Sequence, residues 1–288
     1  MGNVLELKDV CKDYGDFKLD HVSFEIPEGC ICGFIGQNGA GKTTTIRLIL
    51  DSIRRDDGEI FVFGKDIRKE DCAIKEDIGV VYAEMGFHDF MSPKDINTMM
   101  KNIYKGWEEE TFFEYLKRFS LPAKKKCGNF SRGMQMKLQI AVALSHGAKL
   151  LLMDEPTSGL DPIVRNEILQ IFQEYVMDEH RTVLLSSHIT GDIERIADMV
   201  VFIDHGRIVL SGNKDEILEK HGILRCKKED AEKLDSADCV SSRSYAYGTE
   251  VLVKDRELCV AKYPYMVMDQ CSLEEIMLFY VNSRNKEA

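Results

Sequence analysis

The segment Gly36-Gln-Asn-Gly-Ala-Gly41-Lys42-Thr43 fits the pattern G-x-x-x-x-G-K-[ST], and it stands between an apolar run, Ile31 to Ile35, and a segment of helical spacing. Few patterns constrain a fold more. A backbone that wraps phosphate needs glycines that permit close approach, a strand that delivers the chain to the turn, and a helix whose positive dipole end faces the anion. Gly36, Asn38, Gly39, Gly41, Lys42, Thr43 and Thr44 are the candidate phosphate-binding residues. Lys42 would reach the β- and γ-phosphates, and Thr43 would place its hydroxyl on Mg²⁺. A glycine-rich turn can also match this pattern by chance in a loop, so its neighbours matter.

Those neighbours alternate. Runs rich in Val, Ile, Leu and Phe at Ile31 to Ile35, Ile78 to Tyr82, Leu150 to Met153, Thr182 to Leu185 and Met199 to Ile203 read as buried strands with helical patterns between them. After Gly41, residues Ile46, Ile49, Leu50 and Ile53 follow i, i+3, i+4, i+7 and lay one helix face on a sheet. Asp57-Gly58 is expected to turn the chain into a short strand from Glu59 to Phe63. Such alternation predicts an α/β domain with a largely parallel central sheet. From about Ser92 to Gly147 the pattern is helical only, which predicts a helical subdomain inserted between two core strands, its last helix capped by Ser131. Past about Lys220 the chain reads as a small α+β appendage. Strand-like Ile223 to Lys227, Val240 to Tyr247 and Glu250 to Val253 precede a helix that starts at a Ser272/Glu275 capping box. The 288 residues thus divide into a main domain, 1–220, with its helical subdomain at 92–147, and an accessory domain, 221–288.

Leu150-Leu-Leu-Met-Asp154-Glu155 is an apolar strand that ends in two carboxylates. Alone, such a pair is more often solvated surface. Downstream of a phosphate loop it has the form of a Walker B segment, in which Asp154 holds Mg²⁺ through water and Glu155 activates the attacking water. The core is therefore expected to be a P-loop NTPase. A net charge of -11 argues against nucleic acid as the main partner and suits a basic one, such as the cytoplasmic loops of a membrane protein. Nine cysteines without a CxxC pair read as free thiols of a reducing compartment, with Cys30 and Cys32 as buried packing. The start, MGNVLELKDV, has no signal-peptide pattern, and no run approaches the roughly 18 apolar residues of a spanning helix, so a cytoplasmic protein is expected.

Four further segments complete a resemblance to the ATP-binding subunits of ABC transporters. Ser131-Arg-Gly133-Met-Gln135 resembles the family signature at the start of a helix, Ser158-Gly-Leu-Asp161 resembles the D-loop, His188 resembles the switch histidine, and Tyr14 stands where the family stacks an aromatic on adenine. Singly, Tyr14 is more often packing and His188 more often a satisfied core or surface histidine; the ordered set is not accidental. The resemblance implies an ATPase that uses ATP and Mg²⁺, with Glu155 as base and His188 as its partner. It also implies a dimer in which Ser131, Gly133 and Gln135 meet the nucleotide of a second, identical or related ATPase subunit. A separate transmembrane permease subunit would hold the pair on the inner face of the membrane.

Two positions depart from the family. Arg132 and Met134 replace signature glycines, as in a subgroup that resembles bacterial drug and peptide-antibiotic exporters; the tail resembles that subgroup's C-terminal extension. Glu84 stands where the family has a glutamine that binds Mg²⁺ and orients water, which makes it a metal and catalytic candidate, and the apolar stretch after it, Met85 to Phe90, is expected either to pack on the helical subdomain or to border the permease groove. A soluble ABC protein acting on ribosomes or DNA, a P-loop kinase, and the ATPase of a sensing or immunity complex are the competing readings. The first lacks here its paired cassettes or coiled coil, and the second would not need a signature or D-loop.

Overall fold

The first strands of the chain do not join the sheet that the later ones build. In the computed structural model, which describes residues 2–69 and 71–284, the chain runs through β1 (Asn3–Asp13), β2 (Lys18–Pro27), β3 (Ile31–Ile35), α1 (Lys42–Ile49), β4 (Asp57–Val62), β5 (Lys65–Asp66), α2 (Asp71–Glu76) and β6 (Ile78–Val81). It continues through α3 (Pro93–Ile103), α4 (Glu109–Arg118), α5 (Arg132–Leu144), β7 (Leu150–Asp154), α6 (Pro162–Tyr175), β8 (Thr182–Ser187), α7 (Thr190–Ile196), β9 (Met199–Asp204) and β10 (Arg207–Asn213).

Strands β9, β3, β8, β7 and β6 lie side by side and parallel, with β10 as an edge. Strands β2, β1, β4 and β5 form a second, antiparallel sheet. The two periodicities explain the split. β3, β7 and β8 are buried along their whole length, as a parallel strand covered on both faces must be, whereas β2 alternates buried and exposed residues and so has one wet face. A core of Leu5, Val22, Phe34, Ile46 and Leu152 lies between the sheets. Cys30 and Cys32 are buried within it, and desolvation together with the nearby Asp198 carboxylate pushes the Cys30 thiol up to about 12, as suits a packing residue.

Sequence expectations differ from the structure at three places here. α1 ends at Ile49, so Ile53 packs on the core from the following turn rather than from the helix. Asp57 and Gly58 belong to β4, with Gly58 at φ 85 absorbing the bend inside the strand. The antiparallel sheet has no counterpart among the sequence expectations, because the alternation of β2 and the bulge-broken pattern of β1 are weaker signals than an unbroken apolar run. Between β6 and β7 every α-helix belongs to the inserted segment, and Ser92 opens it with a full capping box, its hydroxyl and N–H on Asp95.

A second unit, separated at Ile208/Val209, contains α8 (Lys214–Lys220), β11 (Gly222–Cys226), α9 (Lys228–Ala231), β12 (Cys239–Tyr245), β13 (Gly248–Val253), α10 (Arg256–Lys262), β14 (Val267–Asp269) and α11 (Leu273–Arg284). The division falls ahead of the expected 220 because α8 packs on α10 and so belongs with the tail. Its antiparallel sheet runs β12-β13-β11-β14 over a core of Leu224, Val251, Val253, Cys259 and Tyr263. The Ser272 hydroxyl and N–H both bond the Glu275 carboxylate at the start of α11.

Candidate active site

β3 carries the chain to the phosphate loop and α1 leaves it. Gly41 is the N-cap of α1 at φ 117, and a Cβ there would stand 2.6 Å from the Leu19 side chain and 3.1 Å from Phe17, so glycine is required by both backbone and space. Lys42, only 5% exposed, folds its ammonium back along the loop. Its Nζ donates to the Gly36 carbonyl at 2.6 Å and the Gln37 carbonyl at 3.1 Å, and lies 3.1 Å from Glu155 Oε1.

The opposite wall comes from the ends of β7 and β8, adjacent parallel strands. Thr43 Oγ1 donates to Asp154 Oδ2 at 2.8 Å, and Ser186 Oγ donates to Asp154 Oδ1 at 2.8 Å. Ser186 Oγ also accepts the Glu155 N–H at 3.0 Å. Glu155 follows β7 with φ 52, a conformation that a non-glycine residue holds only when its surroundings over-determine it. Its Oε2 lies 2.7 Å from His188 Nδ1 and accepts the His188 N–H at 3.4 Å. Its Oε1 is buried and, despite the nearby ammonium, receives no well-aligned hydrogen bond, so one carboxylate oxygen keeps an open acceptor position. A cleft of about 340 Å³ lined by Phe17, Asn38, Gly39, Gly41, Lys42, Thr43, Thr44 and Glu155 surrounds it.

Glu84 is exposed and lines an adjoining cavity together with Thr43, Arg47, Tyr82 and Asp154. The start of its loop is fixed from the helical segment: the Gln139 amide of α5 donates to the Tyr82 carbonyl at 3.2 Å and accepts the Tyr82 N–H at 3.4 Å. The Thr43 hydroxyl, Asp154 and Glu84 are all oxygen donors around one cavity, a set that fits a hard divalent cation such as Mg²⁺.

The remaining sequence candidates lie elsewhere. Ser131 caps α5 by accepting the Met134 N–H at 3.3 Å; Gly133 and Gln135 follow in its first turns. Asp161 caps α6 by accepting the N–H groups of Ile163 and Val164 at 3.0 and 3.1 Å. None of these lines the cleft. The Arg132 guanidinium lies over Gly159 of the same chain, 2.9 Å from where a Cβ would be. Tyr14 is 49% exposed with the Lys12 ammonium 5.4 Å from its ring centre; it is Phe17, three residues on, that lines the cleft. Phe17 and Ser186 were not singled out from sequence. The signal for Ser186 was a hydroxyl pair, Ser186-Ser187, ending an otherwise apolar strand beside His188.

Comparison with known proteins gives the chain a family. The family model described as "ABC transporter" matches residues 19–158. The bacitracin transport ATP-binding protein of Bacillus licheniformis is 36% identical over 215 residues, 73% of this chain and 69% of that protein. The linearmycin resistance ATP-binding protein of Bacillus subtilis is 32% identical over 262 residues, 88% and 84% of the two chains. Among solved structures, a Clostridium perfringens protein described as part of the ABC transporter complex cbiONQ superposes with a TM-score of 0.64 at 25% identity, over 75% of this chain and 91% of its own. By these similarities the chain belongs to the ABC transporter family as an ATP-binding and ATP-hydrolysing subunit.

Proposed function

We propose that this ATPase works as one half of a nucleotide-sandwiching pair beneath a membrane permease, and that ATP-driven closure of the pair moves substrate outward. The observation that supports the pairing most is a cleft half built: Lys42, Thr43 and Glu155 line it, with Asp154 bonded to Thr43 and His188 to Glu155 just behind, while Ser131, Gly133 and Gln135 stand on an element that contributes nothing to its lining. A second chain, identical or related, placed head to tail would bring its own signature segment over the phosphates. Export is the reading that accords with the antibiotic-handling relatives. A permease on the inner membrane face accords with the charge of -11 and with the fact that no helix among the described residues is long and apolar enough to cross a membrane.

Within the cleft, Lys42 holds the terminal phosphates and Glu155 takes the proton from the attacking water on its open Oε1. His188 fixes the other oxygen, so the carboxylate does not rotate as the proton arrives. Asp161 and Tyr14 act from the rim, the first at the dimer seam and the second against adenine. Mg²⁺, held by Thr43, Asp154 and Glu84, would neutralise charge that develops on the phosphate oxygens.

The pairing is tested in the Glu155→Gln background, where ATP persists. Light scattering should show a dimer with MgATP and a monomer without. Adding Ser131→Asp keeps a helix cap but sets a negative charge where the partner's phosphate would lie. ATP binding with no dimer is expected of that double variant; an undiminished dimer would sink the proposed role of the signature.

A further inference from the structure

We propose that Cys11, Asp20 and His21 form a site for a thiophilic divalent metal ion of the Zn²⁺ class, built into a bulge between β1 and β2. The strand register carries the idea. Val10 faces Val22 and Lys12 faces Leu19, so Cys11 alone on β1 stands opposite both Asp20 and His21 on β2. Regular pleating would send two adjacent residues to opposite faces. The bulge undoes that alternation, and His21 enters the left-handed region at φ 50. As a result a thiol sulfur, a carboxylate oxygen and an imidazole nitrogen all lie within 4.8 Å of one another. Bonds of about 2.0–2.3 Å to a tetrahedral ion set ligand atoms roughly 3.3–3.8 Å apart, so small side-chain rotations close the site around an ion, with water in the fourth position.

The groups now hold one another where the ion would hold them. His21 Nδ1 is 2.9 Å from Asp20 Oδ1, the His21 N–H donates to Cys11 Sγ at 3.3 Å, and the Cys11 thiol donates to the Asp9 carbonyl at 3.5 Å. Lys18 Nζ sits 3.1 Å from Asp20 Oδ1, and Arg207 pairs with Oδ2. An ion replaces the His21–Asp20 contact and displaces the half-exposed Lys18, while Arg207 keeps the second oxygen; the thiol proton leaves to solvent. Thiolate and carboxylate together balance the divalent charge within the site, but two charges enter for one proton released, so the net added charge beside Lys18 and Arg207 is accommodated by moving the Lys18 ammonium out into solvent. The sulfur selects against Mg²⁺ and Ca²⁺.

The bulge is also wired to the phosphate loop. The Asp20 N–H donates to the Gly206 carbonyl at 2.9 Å, and the Gly206 N–H donates to the Ala40 carbonyl at 3.0 Å. Gly206 fits only because it lacks a Cβ, which would stand 1.9 Å from the Lys18 carbonyl oxygen. Cys11 further lies at the root of the loop that carries Tyr14 and Phe17. An ion that locks the bulge therefore changes ATP affinity; this consequence rests on the nucleotide-site reading, whereas metal binding itself does not.

The experiment uses full-length, reduced, tag-free protein without nucleotide, titrated anaerobically with Co²⁺ as a spectroscopic probe and then with Zn²⁺. A thiolate-to-cobalt charge-transfer band that saturates at about one equivalent and is bleached by Zn²⁺ is expected. Cys11→Ser should lose the band, and His21→Asn, which tolerates a left-handed backbone, should raise the titration midpoint at least about tenfold. Because the chain has nine cysteines, a band that persists unchanged in Cys11→Ser overturns the site, as does the absence of a band from wild-type protein that binds ATP. Should Cys11→Ser fail to fold, His21→Asn decides, its side chain being 65% exposed; an unchanged midpoint there also overturns the site. An ATP affinity at saturating Mg²⁺ that ignores Zn²⁺ overturns the coupling alone.

Discussion

The floor and the rim of the nucleotide cleft are built on opposite terms. On the floor Lys42 and Asp154 are buried, and apart from the open Oε1 of Glu155 the charged groups are held within the protein: Lys42 on the loop carbonyls and beside Glu155, Asp154 between Thr43 and Ser186, Glu155 Oε2 against His188. On the rim Tyr14 and Glu84 are exposed. A floor already organised can stabilise charge without rearranging at the moment of reaction, whereas rim groups must be ordered by a ligand and lose part of their interaction energy to that ordering. Substitutions on the floor should therefore act on chemistry and on tight binding, and substitutions on the rim should act weakly.

The largest effect is expected from Glu155→Gln. The amide retains the shape of the carboxylate and can still contact His188, yet it cannot accept a proton, so single-turnover hydrolysis should fall about 10²- to 10⁴-fold while ATP still binds. A loss smaller than about tenfold would remove Glu155 as the base and would break the floor's claim to the chemistry.

Lys42→Ala should come next, in binding. Charge-assisted hydrogen bonds are worth about 1.5–3 kcal/mol, so ATP affinity should drop about ten- to a hundredfold in a nucleotide titration. The variant also leaves Glu155 Oε1 without its neighbouring cation. Denaturant unfolding should then show lower stability for Lys42→Ala than for Lys42→Arg, and equal midpoints would mean that the ion pair contributes nothing to the folded state.

The positions of the floor residues are legible in the sequence. A glycine at φ 117, a lysine folded back along its loop and a carboxylate at a strand end leave local marks, because one short segment fixes each of them. The bridge made by Ser186 between Asp154 and Glu155 left only the faint mark of a serine in an apolar strand, since its role arises from the pairing of β7 with β8 across distant sequence. The same holds for β1 and β2, whose bulge gathers Cys11, Asp20 and His21 from two strands, and for Phe17, which reaches the cleft only because its loop folds over Gly41. The division at Ile208/Val209 differs from the boundary near 220 that composition suggests for an equivalent reason, as α8 groups with the tail by packing on α10.

On the rim, two aromatics compete for one role. Tyr14 is the aromatic that the family resemblance points to, but it is half exposed, while Phe17 lines the cleft. Tyr14→Ala should weaken ATP binding by about 1 kcal/mol, about fivefold, with Tyr14→Trp tolerated and the rate of the bound complex little changed. If Phe17→Ala shows that loss and Tyr14→Ala does not, Tyr14 is a packing residue and the stacking role moves three positions along the loop.

The smallest effect is expected at Glu84, where the family resemblance implies a glutamine. A carboxylate is a stronger ligand than an amide for a hard cation, so metal binding should be tighter than in a glutamine variant. The same charge shares one cavity with the Asp154 carboxylate and the expected phosphates; Arg47, in the lining of that cavity, offsets part of it and the bound ion the rest. Exposure sets the scale: solvent screens an exposed charge to a few tenths of a kcal/mol, so Glu84→Gln should raise the Mg²⁺ concentration for half-maximal ATPase activity only about two- to threefold and leave ATP affinity at saturating metal unchanged. Titrating Mg²⁺ against the ATPase rate of both proteins measures it. Superimposable curves would take Glu84 out of the metal site and give its loop to a partner contact, where only the assembled transporter would register the change. A shift well beyond tenfold would instead show that nucleotide draws Glu84 out of solvent, and the line between an organised floor and a yielding rim would then run outside this residue rather than inside it.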